Sequence, residues 1–180
     1  WIDWPDDIKK RKPEAVKKYT TELKDKINLH KFCQFKFYEQ FNKLKDYCHK
    51  NKIKIIGDVP IYVPLDSVDV WGSTEIFQLD ENYQPTAVAG VPPDAFRADG
   101  QLWGNPLYNW EKMEKDDYKW YINRLGAAGK LFDVIRIDHF RGLESYYSVP
   151  AKDTTAKNGK WVKGPDMKLI NAIKKYLPNI

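Results

Sequence analysis

Sulfur and imidazole are scarce in this chain. Two cysteines, two methionines and three histidines in 180 residues leave little for redox or transition-metal chemistry. Cys33 and Cys48, with His30 and His49 beside them, are the natural candidates for a zinc site, and their spacing excludes it. On one helix the two thiols stand fifteen positions apart, or ~22 Å at ~1.5 Å per residue, beyond the reach of one metal or one disulfide. They are expected to be reduced thiols packed as small apolar core residues. No metal and no cofactor is expected. Long apolar runs are missing too: none approaches the ~18 residues that span a bilayer, and no signal peptide opens the chain. A cytoplasmic protein without a membrane partner is the expectation.

Charge of one sign is also less concentrated than the formal net charge of +5 suggests. Much of the Lys/Arg excess lies in the first fifty residues, as in Lys9-Lys10-Arg11-Lys12 and Lys17-Lys18. There it is interleaved with Asp and Glu at helical spacing, the pattern of a solvated helix face, so nucleic acid is not an expected partner. With 42% hydrophobic residues, the composition is that of one globular domain. Aromatics are plentiful: seven Trp, eleven Tyr and eight Phe. Trp71, Trp103, Tyr108 and Trp110 stand in Pro/Gly-rich stretches, where they serve either as binding platforms or as plugs that anchor long loops.

The pattern along the chain is that of strands alternating with helices. After a polar lead-in, Pro13 suits the first turn of a helix reaching about residue 26. A longer helix over residues 27–50 carries Cys33, Phe37, Phe41, Leu44 and Cys48 on one stripe, which predicts a core face. Residues 53–63 read as a buried strand carrying Asp58 and stopped by Pro60. The segment 64–110 is expected to be a long βα-loop insertion, with a short helix near 67–71, a hairpin over 78–88 and an irregular loop over 90–106. Ordinary βα loops have about 2 to 6 residues, so an insertion of this length predicts a lid or a binding surface. A helix over 110–130 presents Tyr118, Ile122 and Leu125. A second strand follows over 132–142, then a turn and short extended piece to 151, a surface excursion over 154–165, and a helix over 166–176 with Met167, Ile170, Ile173 and Leu177 as its apolar face.

The chemistry concentrates in Phe132-Asp133-Val134-Ile135-Arg136-Ile137-Asp138-His139-Phe140-Arg141-Gly142. Strand side chains alternate, so Arg136 and Asp138 share one face and Ile135 and Ile137 the other. An Arg beside an Asp favours the ionised carboxylate that a nucleophile requires; a plain salt bridge at a strand end is the alternative. For Asp58 the alternative is a strand-end turn residue. The element order suggests parallel strands with crossover helices, part of an α/β barrel, whose active sites are built at the C-terminal ends of the strands. Carboxylates and aromatics around one cleft fit sugar chemistry.

Gly57-Asp58-Val59-Pro60-Ile61-Tyr62-Val63, Asp66-Ser67-Val68-Asp69-Val70-Trp71, Gly90-Val91-Pro92-Pro93-Asp94, Gly100-Gln101-Leu102-Trp103-Gly104-Asn105-Pro106 and Arg136-Ile137-Asp138-His139-Phe140-Arg141-Gly142 together resemble the 4-α-glucanotransferases, also called amylomaltases or disproportionating enzymes. The resemblance implies a TIM (β/α)8 barrel with long βα-loop insertions, incomplete in this chain, and transfer of α-1,4-glucan segments between maltooligosaccharides. It implies that Asp138 is the nucleophile and Arg136 its neighbour. By the same resemblance Asp58 and His139 hold the sugar at the cleaved bond, and Gln101, Trp103, Asp94 and Phe96 line the donor and acceptor subsites. Ala95 departs from the pattern, standing where the family carries an aromatic. The family's acid/base glutamate lies in a Glu-Asp-Leu-Gly type motif, which does not occur here. An interior fragment of one catalytic domain, inactive by itself, is the expectation. An α-amylase-like hydrolase and a non-catalytic glucan-binding module are the alternatives.

Overall fold

The computed structural model describes residues 1–179. Its elements are α1 (Asp6–Lys9), α2 (Pro13–Glu22), α3 (Lys24–Lys50), β1 (Ile56–Pro60), α4 (Val68–Gly72), β2 (Ala87–Val91), β3 (Gln101–Pro106), α5 (Trp110–Glu114), α6 (Lys119–Leu131), β4 (Val134–Asp138), β5 (Ser145–Pro150), β6 (Lys160–Lys163) and α7 (Met167–Tyr176). Short 3-10 turns occupy Thr74–Ile76 and Phe140–Leu143.

The expected parallel strands are present, β1 pairing with β4 with Ile56 opposite Val134 and Pro60 opposite Asp138, but β1 spans only Ile56–Pro60 and is not buried on both faces, since Ile56 and Val134 are exposed. The connection between them is a crossover that ends in α6, whose Tyr121, Ile122 and Leu125 are buried. Asp133 fixes the entrance to the pair. Its carboxylate accepts the Ile55 N–H at 2.8 Å and lies 2.8 Å from His49 Nε2, so one side chain links the end of α3, the start of β1 and β4. Those contacts hold the Asp133 carboxyl below the usual carboxylate range, the Ile55 N–H contributing most.

The stretch expected to be an irregular insertion is more regular than its sequence suggests. Within 90–106 only residues 92–100 are irregular, because β2 and β3 pair antiparallel on either side of that loop, which closes at Gly100, where φ is +67°. β2 also pairs with β5, and β5 with β6, giving a four-stranded sheet in the order β3-β2-β5-β6. The supposed surface excursion over 154–165 thus supplies its edge strand. The expected 78–88 hairpin reduces to one bridge, Leu79 to Pro85, with Asp80 Oδ1 accepting from the Asn82 and Gln84 N–H groups.

Tyr108 occupies the centre of the core. Its ring lies 5.9 Å from Tyr62, 5.2 Å from Phe77 and 4.8 Å from Trp110, and its hydroxyl donates to the Ile61 carbonyl at 2.8 Å. Tyr108 and Trp110 are therefore loop plugs. Trp71 ties down the N-terminal turn, its indole N–H donating to the Ile8 and Lys9 carbonyls at 3.2 Å each.

Three expectations about helices need correction. The α3 stripe is not a core face: Cys33 is exposed, Phe37 is 48% and Leu44 52% exposed, and no α3 residue is buried. Only its C-terminal part finds apolar cover, where Phe41 meets Phe132 edge-on with centroids 6.0 Å apart. Periodicity shows that a face is apolar, not what covers it. The single helix over 110–130 is two, α5 and α6, broken where Asp117 and Tyr118 adopt φ of +55° and +58°. On α7 Ile170, Ile173 and Leu177 pack against the core as expected, but the fully buried residues are Leu169 and Ala172, and Met167 is exposed.

Candidate active site

β1 and β4 end side by side, and their polar side chains meet there. Arg136 on β4 lies in register with Asp58 on β1 and donates to its Oδ2 at 2.5 Å through Nη1. Through Nη2 it donates to Asp138 Oδ1 at 2.7 Å. One guanidinium thus bridges two carboxylates. The sharing of one face by Arg136 and Asp138 follows from strand alternation, with Ile135 and Ile137 packed against the core behind them. Arg136, Asp58 and Asp138 are all more than half exposed. An arginine fork suits this bridge because its planar donors can serve two oxygen partners at once.

The backbone turns sharply after Asp138. His139 has φ +53° and starts the 3-10 turn, with its carbonyl accepting from the Gly142 N–H at 2.9 Å. The His139 ring lies directly on Gly142, where a Cβ would come within 2.9 Å of its Cδ2. Trp103 meets the ring edge-on from the other element, with centroids 4.8 Å apart. His139 Nε2 is buried without a protein hydrogen-bond partner. Burial lowers the His139 pKa below the usual histidine value; Asp138 opposes that shift and Arg141 adds to it.

A recess of about 200 Å³ opens at this corner, lined by Pro60, Ile61, Tyr62, Trp103, Asn105, Asp138 and His139. Trp103 arrives from β3, its indole N–H donating to Gln101 Oε1 at 3.2 Å. β3 is irregular at Gly104, where φ is +79° and the register with β2 shifts, and Trp103 and Asn105 on either side of it both line the recess. Asn105 is fixed by its amide, which donates to the Val63 carbonyl at 3.1 Å. Tyr62 is buried, which pushes its phenol well above the ordinary value and keeps it a neutral donor.

Six of the eight sequence-selected residues are thus joined: Asp58, Arg136 and Asp138 by the ion bridge, His139 and Trp103 by their rings, and Gln101 through Trp103. Asp94 and Phe96 are not part of this constellation. Asp94 Oδ1 closes its own turn by accepting from the Phe96 and Arg97 N–H groups, and Phe96 is 96% exposed. Tyr62 and Asn105 were not selected from the sequence. For Asn105 strand alternation gives no signal, because Gly104 at φ +79° interrupts it.

The mixed α/β architecture, with Arg136 bridging Asp58 and Asp138 across adjacent parallel strands, is that of an α/β enzyme scaffold. Comparison with known proteins narrows it. The sequence model described as 4-alpha-glucanotransferase matches residues 1–179. The 4-alpha-glucanotransferase of Clostridium butyricum is 51% identical over 181 aligned residues, covering 100% of this chain and 37% of that protein. The chloroplastic/amyloplastic 4-alpha-glucanotransferase of Solanum tuberosum is 44% identical over 96% of this chain and 30% of its own length. The amylomaltase from Streptococcus agalactiae in complex with acarbose superimposes with a TM-score of 0.93 at 44% identity, over 98% of this chain and 36% of that one. This chain belongs to the 4-alpha-glucanotransferase family. It spans 30% to 37% of the length of these relatives. Among the described residues no helix is long and apolar enough to cross a membrane.

Proposed function

We propose that these 180 residues form the nucleophile-bearing part of a retaining 4-α-glucanotransferase, with α-1,4-glucans as donor and acceptor. The observation that carries this reading is the Arg136 bridge between Asp58 and Asp138, which presents Asp138 beside the Trp103–His139 recess. An Asp138 oxygen attacks the anomeric carbon as the bond to the leaving glycosidic oxygen breaks, giving a glucosyl-aspartate and a free 4-hydroxyl that needs one proton. An acceptor's 4-hydroxyl then displaces Asp138, gives up its proton to the same acid/base group, and retains the anomeric configuration. Retaining enzymes place the two carboxyl groups at ~5 to 5.5 Å. No Glu-Asp-Leu-Gly type motif is present in this sequence to supply the proton donor.

Asp58 and His139 support the sugar at the cleaved bond, His139 as part of the recess wall. Gln101 and Trp103 line the path of the chain. Asp94 shapes the loop on which the exposed Phe96 meets glucan farther out. An aromatic wall beside the nucleophile favours transfer over hydrolysis by excluding water. The compartment expected from composition is the cytoplasm, although a plant relative is a plastid form.

Incubation with maltotriose tests the reading. The 180-residue chain is expected to give no glucose and no longer maltodextrins, whereas an enzyme that carries these residues together with the acid/base motif disproportionates, and its D138N variant does not. Turnover by the chain alone would overturn the inferred lack of a proton donor. New reducing ends in excess of transferred glucan would favour the α-amylase-like alternative. Glucan affinity in a full enzyme that shows no turnover would favour a binding module.

A further inference from the structure

The turn that follows Asp138 is fastened on its far side by a contact the site itself does not include. Arg141, in the turn Phe140–Leu143, places its guanidinium carbon 4.3 Å from the ring centre of Trp161. Trp161 belongs to β6 and lies opposite Tyr147 of β5, the two rings meeting edge-on with centroids 5.3 Å apart. Tyr147 in turn packs directly against Gly159, where a Cβ would collide with its ring. The arginine is therefore stacked on a braced aromatic rather than on a free side chain.

The same turn begins with His139 in the left-handed region, a conformation that a non-glycine residue keeps only when its surroundings hold it. Backbone bonds do part of this work. Gly164 donates to the Glu144 carbonyl at 2.8 Å and Asp166 to the Leu143 carbonyl at 2.8 Å, tying the end of the turn to the residues after β6. Arg141 is the member of the turn whose side chain reaches the β6 aromatic. It also acts on His139 through charge. Of the groups around that ring, Asp138 and Arg141 bear charge, while Trp103, Gly142 and Ile61 do not.

We propose that Arg141 and Trp161 are positioning residues: their stacked pair fixes residues 139–142 so that His139 stays between Trp103 and Gly142, beside the Asp138 carboxylate. The inference rests on the reading of Asp138 and His139 as site residues, and adds to it a pair outside the recess, on the last strand of the neighbouring sheet. Planar stacking of guanidinium on indole is specific to arginine and an aromatic. Lysine at 141 keeps charge without that geometry, and phenylalanine at 161 keeps a face without the indole.

The test compares R141A, R141K, W161A and W161F by two readouts. In an enzyme carrying this sequence, R141A and W161A are expected to lower kcat by about ten- to a hundred-fold with little change in KM, the effect of a slightly displaced site. W161F should recover most of the loss and R141K part of it. In the 180-residue protein, NMR should show the His139 titration moving upward in R141A, where the opposing charge is gone, and the Trp103 indole N–H signal shifting in both alanine variants. Wild-type His139 titration and Trp103 signal in R141A and W161A would overturn the inference, whatever happens to the melting temperature. So would wild-type kcat in W161A. If the full enzyme proves to have no glucanotransferase activity, the functional reading fails, and the His139 and Trp103 signals still decide this one.

Discussion

Asp58 and Arg136 face each other in register across β1 and β4 and are joined at 2.5 Å, while the other arm of the guanidinium holds Asp138 at 2.7 Å. The bridge keeps apart two carboxylates that would otherwise confront one another. In R136K a single ammonium cannot hold both oxygens in the same fork geometry, and kcat for maltotriose disproportionation is expected to fall about 10²-fold. In R136A the two carboxylates lose the cation between them, and kcat is expected to fall about 10³-fold. Steady-state kinetics check both; an R136A enzyme with wild-type kcat would contradict the role of the bridge.

The same pair shows why part of the site could be read from sequence. β4 is short, β-branched and ends in charge, so its period of two placed Arg136 and Asp138 together without structural help. The antiparallel sheet was harder to see. Ala87-Val88-Ala89-Gly90-Val91 and Gln101-Leu102-Trp103-Gly104-Asn105-Pro106 hold glycine and proline, which read as loop, yet the close approach of Gly90 to the Gln101 carbonyl needs the missing side chain. The α3 stripe has another reason: Phe37 and Leu44 obey helical period, yet about half of each side chain stays exposed. Tyr118 was correctly placed in the core although the left-handed break at Asp117 and Tyr118 was not foreseen, because burial depends on side-chain size and polarity more than on where a helix starts.

Trp103 touches both Tyr62 and His139, with ring centroids 6.4 Å and 4.8 Å away. Removing it opens the recess to water and releases one side of the His139 ring. Since an aromatic pair contributes ~0.5–1.5 kcal/mol beyond area burial, W103A is expected to raise KM for maltotriose by about ten-fold. Its ratio of hydrolysis to transfer should also rise, because water then competes with the acceptor. W103F keeps the edge-on contact and should retain most transfer. Product analysis by chromatography measures the ratio; an unchanged ratio in W103A would remove Trp103 from the acceptor side.

Gly142 lies beneath His139, where an added Cβ would stand 2.8 Å from Ile61 Cδ1 and 2.9 Å from His139 Cδ2. Both neighbours are held: Ile61 is buried, and the His139 ring is backed by Trp103. The methyl group in G142A must therefore displace the histidine or the core. Overpacking of this kind destabilises by ~1–3 kcal/mol, and the displaced ring should lower kcat about ten- to a hundred-fold in an enzyme carrying this sequence. Thermal melts and kinetics separate the two effects, and wild-type behaviour in both would show that the turn can relax around a methyl group.

At the opposite end of β4, Asp133 accepts the Ile55 N–H at 2.8 Å and lies 2.8 Å from His49 and 3.8 Å from Lys45. These contacts favour its anion, so its folded pKa lies below the ordinary 3.8. A carboxyl depressed on folding adds stability above its unfolded pKa, and that stability disappears as pH falls through the folded value. D133N should therefore melt lower than wild type at neutral pH, because it loses the charge that holds His49 and Lys45. The difference should persist down to about pH 4 and close only below it, as the wild-type carboxylate takes up its proton. Melting temperatures of both proteins from neutral to acidic pH provide the measurement. A gap that stayed open below about pH 3 would show that the Asp133 charge does not carry the effect.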